Sequence, residues 1–354
     1  EDPFAKLTRP ARVVRDRAGH PKRVDLHCHY LNPAIAAKVA EMQPNRRDAS
    51  WVFASELSRE VNARQGQERR PQLTDIHRRL VDMDKMGIDV QAVSPAPPQY
   101  YYWAEPGLGQ ELARGVNEGI AQIVADHPNR FVGLGTVPLQ DADLAVAELD
   151  YAVRKLGLRG IEINTNVNGK NLTDPELGLD KFFRRIQQLD VVLFLHPSGF
   201  TEAARLVGHY FNNIIGNPMD TTIAVSHLIF DGVMERNPKL KVVLAHSGGY
   251  IGHYWARMDH GHKARSDART VIKKAPTRYL ERFYFDTICF DADMLAHSIR
   301  KWGADHVVLG TDYPYDMGMY DPLGFVDSVK GLAQADRDLV KGGNAARLLK
   351  IKAK

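Results

Sequence analysis

Eight short apolar runs, each followed by a stretch of helical character, constrain this chain more than anything else in it. The first centres on Val24-Asp25-Leu26. The others fall at Val90–Val93, Phe131–Val137, Gly160–Ile163, Val191–Leu195, Lys241–Ala245, Phe283–Asp286 and Val307–Gly310. Runs such as Val191-Val192-Leu193-Phe194-Leu195 put apolar side chains on both faces of a strand, as parallel strands buried on both sides require. Between them lie helical stretches closed by recognisable stops, such as Ile76–Met86 before Gly87 and Asp141–Leu156 before Gly157. Strict alternation of this kind predicts an α/β fold with a parallel sheet, and eight repeats predict a (β/α)8 TIM barrel. An open doubly wound sheet is the other arrangement. No strand leads into a Gly-x-Gly-x-x-Gly turn and no phosphate loop is present, so the barrel is preferred.

The repeats cover 24–354, with two helices at Leu323–Ala333 and Arg337–Leu349 finishing the chain. Residues 1–23 read as a solvated, basic N-terminal arm carrying Arg9, Arg12, Arg15, Arg17, Lys22 and Arg23. Residues 31–74 separate the first run from the first regular helix. They are too long for an ordinary connection and are expected to form a cap or packing arm, with a polar, Arg-rich tract at Ser58–Arg70. A formal net charge of +4 spread over 354 residues, without long like-charge runs, argues against a nucleic-acid partner. No secretory pattern or apolar run of membrane-spanning length stands out, and Cys28 and Cys289 show no pairing pattern. A soluble, cytoplasmic protein is expected.

Under the barrel reading the chemistry gathers at one rim. His27 and His29 are two apart on the first strand, so their side chains share a face about 6–7 Å apart, with Cys28 pointing the other way. His196 follows the fifth run directly, His246 the sixth, and Asp312 the eighth. Any one of them could be a loop or capping residue. Five at the carboxyl ends of strands, where barrel active sites lie, predict a metal centre. Three imidazoles and a carboxylate suit Zn²⁺, with Mn²⁺ the other candidate, and leave a position for water or substrate. The second His-x-His pair, His260 and His262, lies in a helical stretch where i and i+2 diverge. It is assigned to structure, as are His77, His209, His227, His253 and His306.

The His-x-His of strand one, the histidines after strands five and six and the aspartate after strand eight resemble the amidohydrolase superfamily. The closer resemblance is to its aminocarboxymuconate-semialdehyde decarboxylase-like branch, and it runs from about Val24 to Leu349. It is carried by Arg130-Phe131-Val132-Gly133-Leu134-Gly135-Thr136-Val137-Pro138, Asn237 to Val242, Ala245-His246-Ser247-Gly248-Gly249, Leu309 to Pro314 and Gly343-Asn344-Ala345. The resemblance implies that His27, His29, His196 and Asp312 ligate one divalent ion, with His246 beside the metal-bound water. It further implies a homodimer in which Arg257 reaches a substrate carboxylate in the neighbouring subunit. Two departures bear on the substrate. His196-Pro197 is followed by Ser198-Gly199-Phe200, not by an aromatic and an acidic residue, and the arginines of the insertion have no clear match. Strand four offers Glu162 and no lysine to bridge a second ion, so one metal is expected and Glu162 is read as a structural contact.

The expected activity is non-oxidative decarboxylation of an unsaturated or aromatic carboxylic acid. Losing CO₂ directly from an sp² carbon would leave an unstabilised carbanion, so a proton must first make that carbon tetrahedral. His246 is suited to carry the proton because its free pKa lies near neutrality. Asp312 is the other candidate, as ligand or as proton donor. Tyr102 and Trp103, in the aromatic loop after strand two, are candidates for a wall that stacks on a flat substrate. A hydrolase such as a lactonase, using the same metal-bound water, is the alternative reading.

Overall fold

The computed structural model describes residues 13–15 and 19–352 and contains all eight expected strands. They are β1 (Val24–Tyr30), β2 (Val90–Pro95), β3 (Phe131–Gly135), β4 (Gly160–Ile163), β5 (Val192–Leu195), β6 (Lys241–Leu244), β7 (Tyr284–Asp286) and β8 (Val307–Val308). They pair in chain order, every pair parallel. The last returns to the first: Leu26 N–H donates to Leu309 O at 2.9 Å, and His29 N–H to Tyr313 O at 2.8 Å. The result is a (β/α)8 barrel. Its β8 is shorter than the apolar run suggests, because Thr311 and Asp312 both donate to the same acceptor, His27 O. Two donors on one carbonyl take the chain out of ladder register and turn Asp312 to a φ of 53°.

The both-face burial read from the runs is met by two apolar layers. Val24, Leu26, Val90, Ala92, Leu134, Val192, Phe194, Val243 and Val308 fill the barrel interior, closed at the bottom by Ala345, Ala346, Leu348 and Leu349. Alternate strand residues, such as Val93, Ile161, Leu193, Leu195, Val242 and Leu244, pack outward against the helices. The final helical stretch is broken into Gln334–Asp338 and Asn344–Leu348, and the one before it is Pro322–Asp327. Of the N-terminal arm, Arg9, Arg12 and Arg17 lie outside the described residues. Lys22 N–H donates to Val14 O at 2.9 Å, and Val14 packs against the interior cluster. No helix among the described residues is long and apolar enough to cross a membrane.

The insertion after β1 is almost wholly helical: Pro33–Lys38, short turns at Ala40–Met42 and Pro44–Arg47, Ala49–Val52, and a long helix Glu56–Thr74. The Arg-rich tract is therefore the body of a 19-residue helix. Ser55 caps it, accepting from Ser58 N–H at 3.1 Å, and Glu, Gln, Arg and Ala favour helix within it. Only Leu73 is buried. Such a helix has no apolar stripe to announce it. It is held over the carboxyl rim by Ser55 N–H donating to Val207 O at 2.9 Å, in the loop after β5.

Candidate metal centre and active site

The strand alternation of β1 turns His27 and His29 inward, both wholly buried, with Nε2 atoms 3.1 Å apart. Cys28 points outward and donates to Ala92 O at 3.4 Å. His27 Nδ1 bonds to Asp286 Oδ2 at 2.6 Å, and His29 Nδ1 to Pro95 O at 3.0 Å. Acceptors at Nδ1 place the ring proton there and leave each Nε2 lone pair facing the centre. Asp312 Oδ1 lies 3.2 Å from both Nε2 atoms. His196, first residue after β5, brings its ring centroid within 4.9 Å of His27 and 4.6 Å of His29. His246 stands 5.0 Å from the His196 ring, its Nε2 3.8 Å from Asp312 Oδ2. His27, His196, His246 and Asp312 offer ligand atoms that all lie within 4.8 Å of one another.

Whether these residues suit a metal ion is decided by their unpaired atoms. Both ring nitrogens of His196, Nδ1 of His246 and Oδ1 of Asp312 are buried without a hydrogen-bond partner among the described residues. Polar atoms left so are costly, typically about 1–3 kcal/mol each, unless something occupies the space between them. A divalent cation accepts lone pairs from imidazole and carboxylate together, and this donor set fits it.

The electrostatics are those of a compact cation site. Burial opposes charge on His27, yet the Asp312 and Asp286 carboxylates outweigh it and push its pKa up to about 10 without an ion. His196 is driven well below the ordinary histidine range by burial and by the neighbouring His29, His27 and His246 rings. It is neutral and ready to donate a lone pair. Burial would raise the Asp312 carboxyl, but His27, His246 and His29 hold it well below the usual range, so it is ionised.

The centre forms the floor of a cavity of about 490 Å³, lined by His196, His246 and Asp312 from the barrel and by Arg69, Tyr210 and Tyr315 above. His246 is the ring that opens to it, its side chain 16 % exposed while those of His27 and His29 are fully covered. A larger cavity of about 610 Å³ lies alongside, sharing Asp48, Trp51, Pro97, Pro98 and Ser198 as a wall. Tyr102 and Trp103 border that neighbouring space, not the cavity over the metal ligands. Arg47 lies over the Trp103 ring at 5.1 Å. Glu162 sits inside the barrel and accepts from Tyr100 O–H at 2.5 Å, tying the aromatic loop to β4. Arg257 is exposed on the helix Ala256–Ala264 and borders neither cavity.

Three contributors besides Tyr315 were absent from the sequence reading. Asp286 ends β7, and the strand-end argument that found Asp312 would have found it too. Arg69 and Tyr210 carry no local signal: one belongs to a polar helix, the other to a loop, at a φ of 60°. Gly199 in that loop has a φ of 76°, and a β-carbon there would meet Ser50 N at 2.4 Å, so the insertion rests directly on it. Gly199→Ala is expected to cost about 1–3 kcal/mol from backbone strain alone. It should lower the melting temperature and weaken substrate binding while metal content stays unchanged. Unaltered melting would show that the loop and insertion adapt freely.

The amidohydrolase family model matches residues 24–351. The chain belongs to the amidohydrolase family. This amidohydrolase is 35 % identical over 272 residues to 2-amino-3-carboxymuconate-6-semialdehyde decarboxylase of Dictyostelium discoideum, covering 77 % of this chain and 75 % of that protein. Its fold is similar to the crystal structure of 5-carboxyvanillate decarboxylase from Sphingomonas paucimobilis, at a TM-score of 0.84 and 27 % identity, over 94 % of this chain and 99 % of that one. It also matches the fold of a dihydroxybenzoic acid decarboxylase from Polaromonas sp. JS666, at a TM-score of 0.77 and 24 % identity, over 93 % and 97 % of the two chains. That structure holds manganese and 2-nitroresorcinol.

Proposed function

We propose that this amidohydrolase is a metal-dependent, non-oxidative decarboxylase of a flat aromatic or muconate-type carboxylic acid. The observation that carries the reading is a metal-type cluster of imidazoles and a carboxylate on the floor of a cavity with Arg69 in its wall. Arg69 is held by Gln65 at 2.8 Å and by Tyr320, and makes no ion pair among the described residues. A planar guanidinium without a carboxylate partner is a receptor for the substrate's acid group. We assign one divalent ion per chain to His27, His29, His196 and Asp312, with Zn²⁺ the first expectation. The manganese of the Polaromonas structure makes Mn²⁺ the competing choice. When bound, the ion supplies Lewis-acid polarisation of a substrate oxygen.

The chain's own residues supply the rest. His246 opens to the cavity beside the ligand cluster and holds the proton that makes the carboxyl-bearing carbon tetrahedral. Asp312 keeps the charge balance of the cluster. Tyr315, its ring centroid 5.2 Å from that of His29, covers the floor and excludes water. Tyr102 and Trp103 would meet only a substrate long enough to pass the Pro97–Pro98 wall. The test is a screen of protein loaded separately with Zn²⁺ and Mn²⁺ against aromatic and muconate-like acids, read as CO₂ release. No release from any acid, alongside hydrolysis of a lactone or amide, would transfer the site to the hydrolase reading.

The assembly follows from Arg257. The arginine is exposed near the start of the helix Ala256–Ala264, beyond β6, and borders neither cavity of its own chain. We place it in the partner's cavity of a homodimer, on the substrate carboxylate. Mixing inactive Arg257→Ala subunits with inactive His246→Ala subunits should restore part of the activity, since one hybrid site then holds both residues. A mixture that forms heterodimers and stays dead would confine Arg257 to the surface.

A further inference from the structure

We propose that Asp286 is a positioning residue that ties the metal ligand His27 to the strand-six loop bearing His246, in a space kept open by Gly310. The carboxylate is wholly buried and both its oxygens are used. Oδ2 accepts from His27 Nδ1 at 2.6 Å and from the His246 backbone N–H at 3.0 Å. Oδ1 accepts from the backbone N–H groups of Ser247 at 2.7 Å and Ile288 at 3.0 Å. Hydrogen bonds to an ionised acceptor are roughly twice as strong as neutral ones. Four of them on one carboxylate define its place.

Two consequences meet at that one group. The bond to Nδ1 keeps the His27 proton there, so Nε2 is left as a bare ligand. The two bonds to β6's exit hold His246 and Ser247 at φ values of 54° and 52°. Non-glycine residues reach this left-handed region only at an energetic cost, and persist there when their surroundings compensate. β1 and β6 are not neighbours in the sheet, and β7, which carries Asp286, adjoins only β6 and β8. Asp286 spans that gap. It can do so because the chain just past β8 carries a glycine: a β-carbon on Gly310 would lie 2.9 Å from His27 Cβ, 3.1 Å from Asp286 Cβ and 3.4 Å from its Oδ2.

This inference rests on the metal-site reading, but its test needs no substrate. In Asp286→Asn the amide must either donate to His27 Nδ1, which moves the ring proton to Nε2, or turn its NH₂ against the backbone N–H groups. The first takes the lone pair from the ligand; the second keeps it but sets NH₂ against the Ser247 and Ile288 N–H groups and pushes the side chain off its place against His27. Mn²⁺ and Co²⁺ affinities of chelator-treated protein, measured by competition with an indicator dye, should fall about 10–100-fold. The visible spectrum of the Co²⁺ protein should change while far-UV circular dichroism does not. Gly310→Ala, which crowds the pair without removing a charge, should weaken the same affinities. A merely structural carboxylate would lower the melting temperature and leave metal affinity alone. Affinity within about twofold of the unaltered protein, in folded Asp286→Asn or, should that variant not fold, in Gly310→Ala, would overturn the proposal. An unaltered protein that binds neither ion would overturn this proposal and the metal reading together.

Discussion

Replacing His27 or His196 by alanine should reduce metal content to background and abolish decarboxylation, yet the two proteins should differ in stability. Each loses one of the four donors assigned to the ion, and with it a large part of the binding energy. His196 leaves no partner behind, because neither of its ring nitrogens is hydrogen-bonded among the described residues. His27 is different: it and Asp286 are both wholly buried, 2.6 Å apart, and removing it takes away the imidazole that faces the carboxylate and leaves it only backbone N–H donors, those of His246, Ser247 and Ile288. Breaking one side of a buried pair costs about 3–5 kcal/mol, so His27→Ala should melt well below His196→Ala when both are metal-free. Atomic absorption on protein purified without chelator, followed by thermal melts after chelation, reads both effects. Full occupancy in either variant would remove that residue from the ligand set. Equal melting temperatures would mean that the three backbone N–H donors suffice for the Asp286 charge.

His246→Ala should separate binding from chemistry. Its Nε2 is 3.8 Å from Asp312 Oδ2, while His27 and His29 are both 3.2 Å from Oδ1, and its ring alone among the three opens appreciably to the cavity. A proton carrier needs that access to substrate, whereas a ligand does not. The variant should keep its metal and its fold, and its turnover number should fall by roughly 10²–10⁴, the scale of a general acid–base group. The KM should change little, because the carboxylate receptor is elsewhere. Loss of the ion in this variant would make His246 a ligand, as its place within 4.8 Å of the other ligand atoms allows. Normal turnover would take it out of the reaction.

What the sequence by itself determined is the barrel and the rim residues that converge on one centre. A strand buried on both faces must be written as an apolar run, so Val192–Leu195 and Lys241–Leu244 were legible from their own residues. A rim residue directly follows the strand that presents it, so His196, His246 and Asp312 were legible by adjacency. Tertiary structure alone decided the rest. The helix Glu56–Thr74 buries only Leu73 and leaves no stripe, so neither its existence nor Arg69's place in the cavity wall could be read. The aromatic loop was correctly seen as rimming the barrel, but the wall of Pro97 and Pro98 that gives Tyr102 and Trp103 a cavity of their own depends on how the insertion folds over it. The buried hydrogen-bonded pair at the centre, His27 and Asp286, is separated by 259 positions. A segment's own pattern records what that segment must bury. It does not record which distant carboxylate will face it once eight strands close into a ring, because that contact is made by the closure and by neither segment alone.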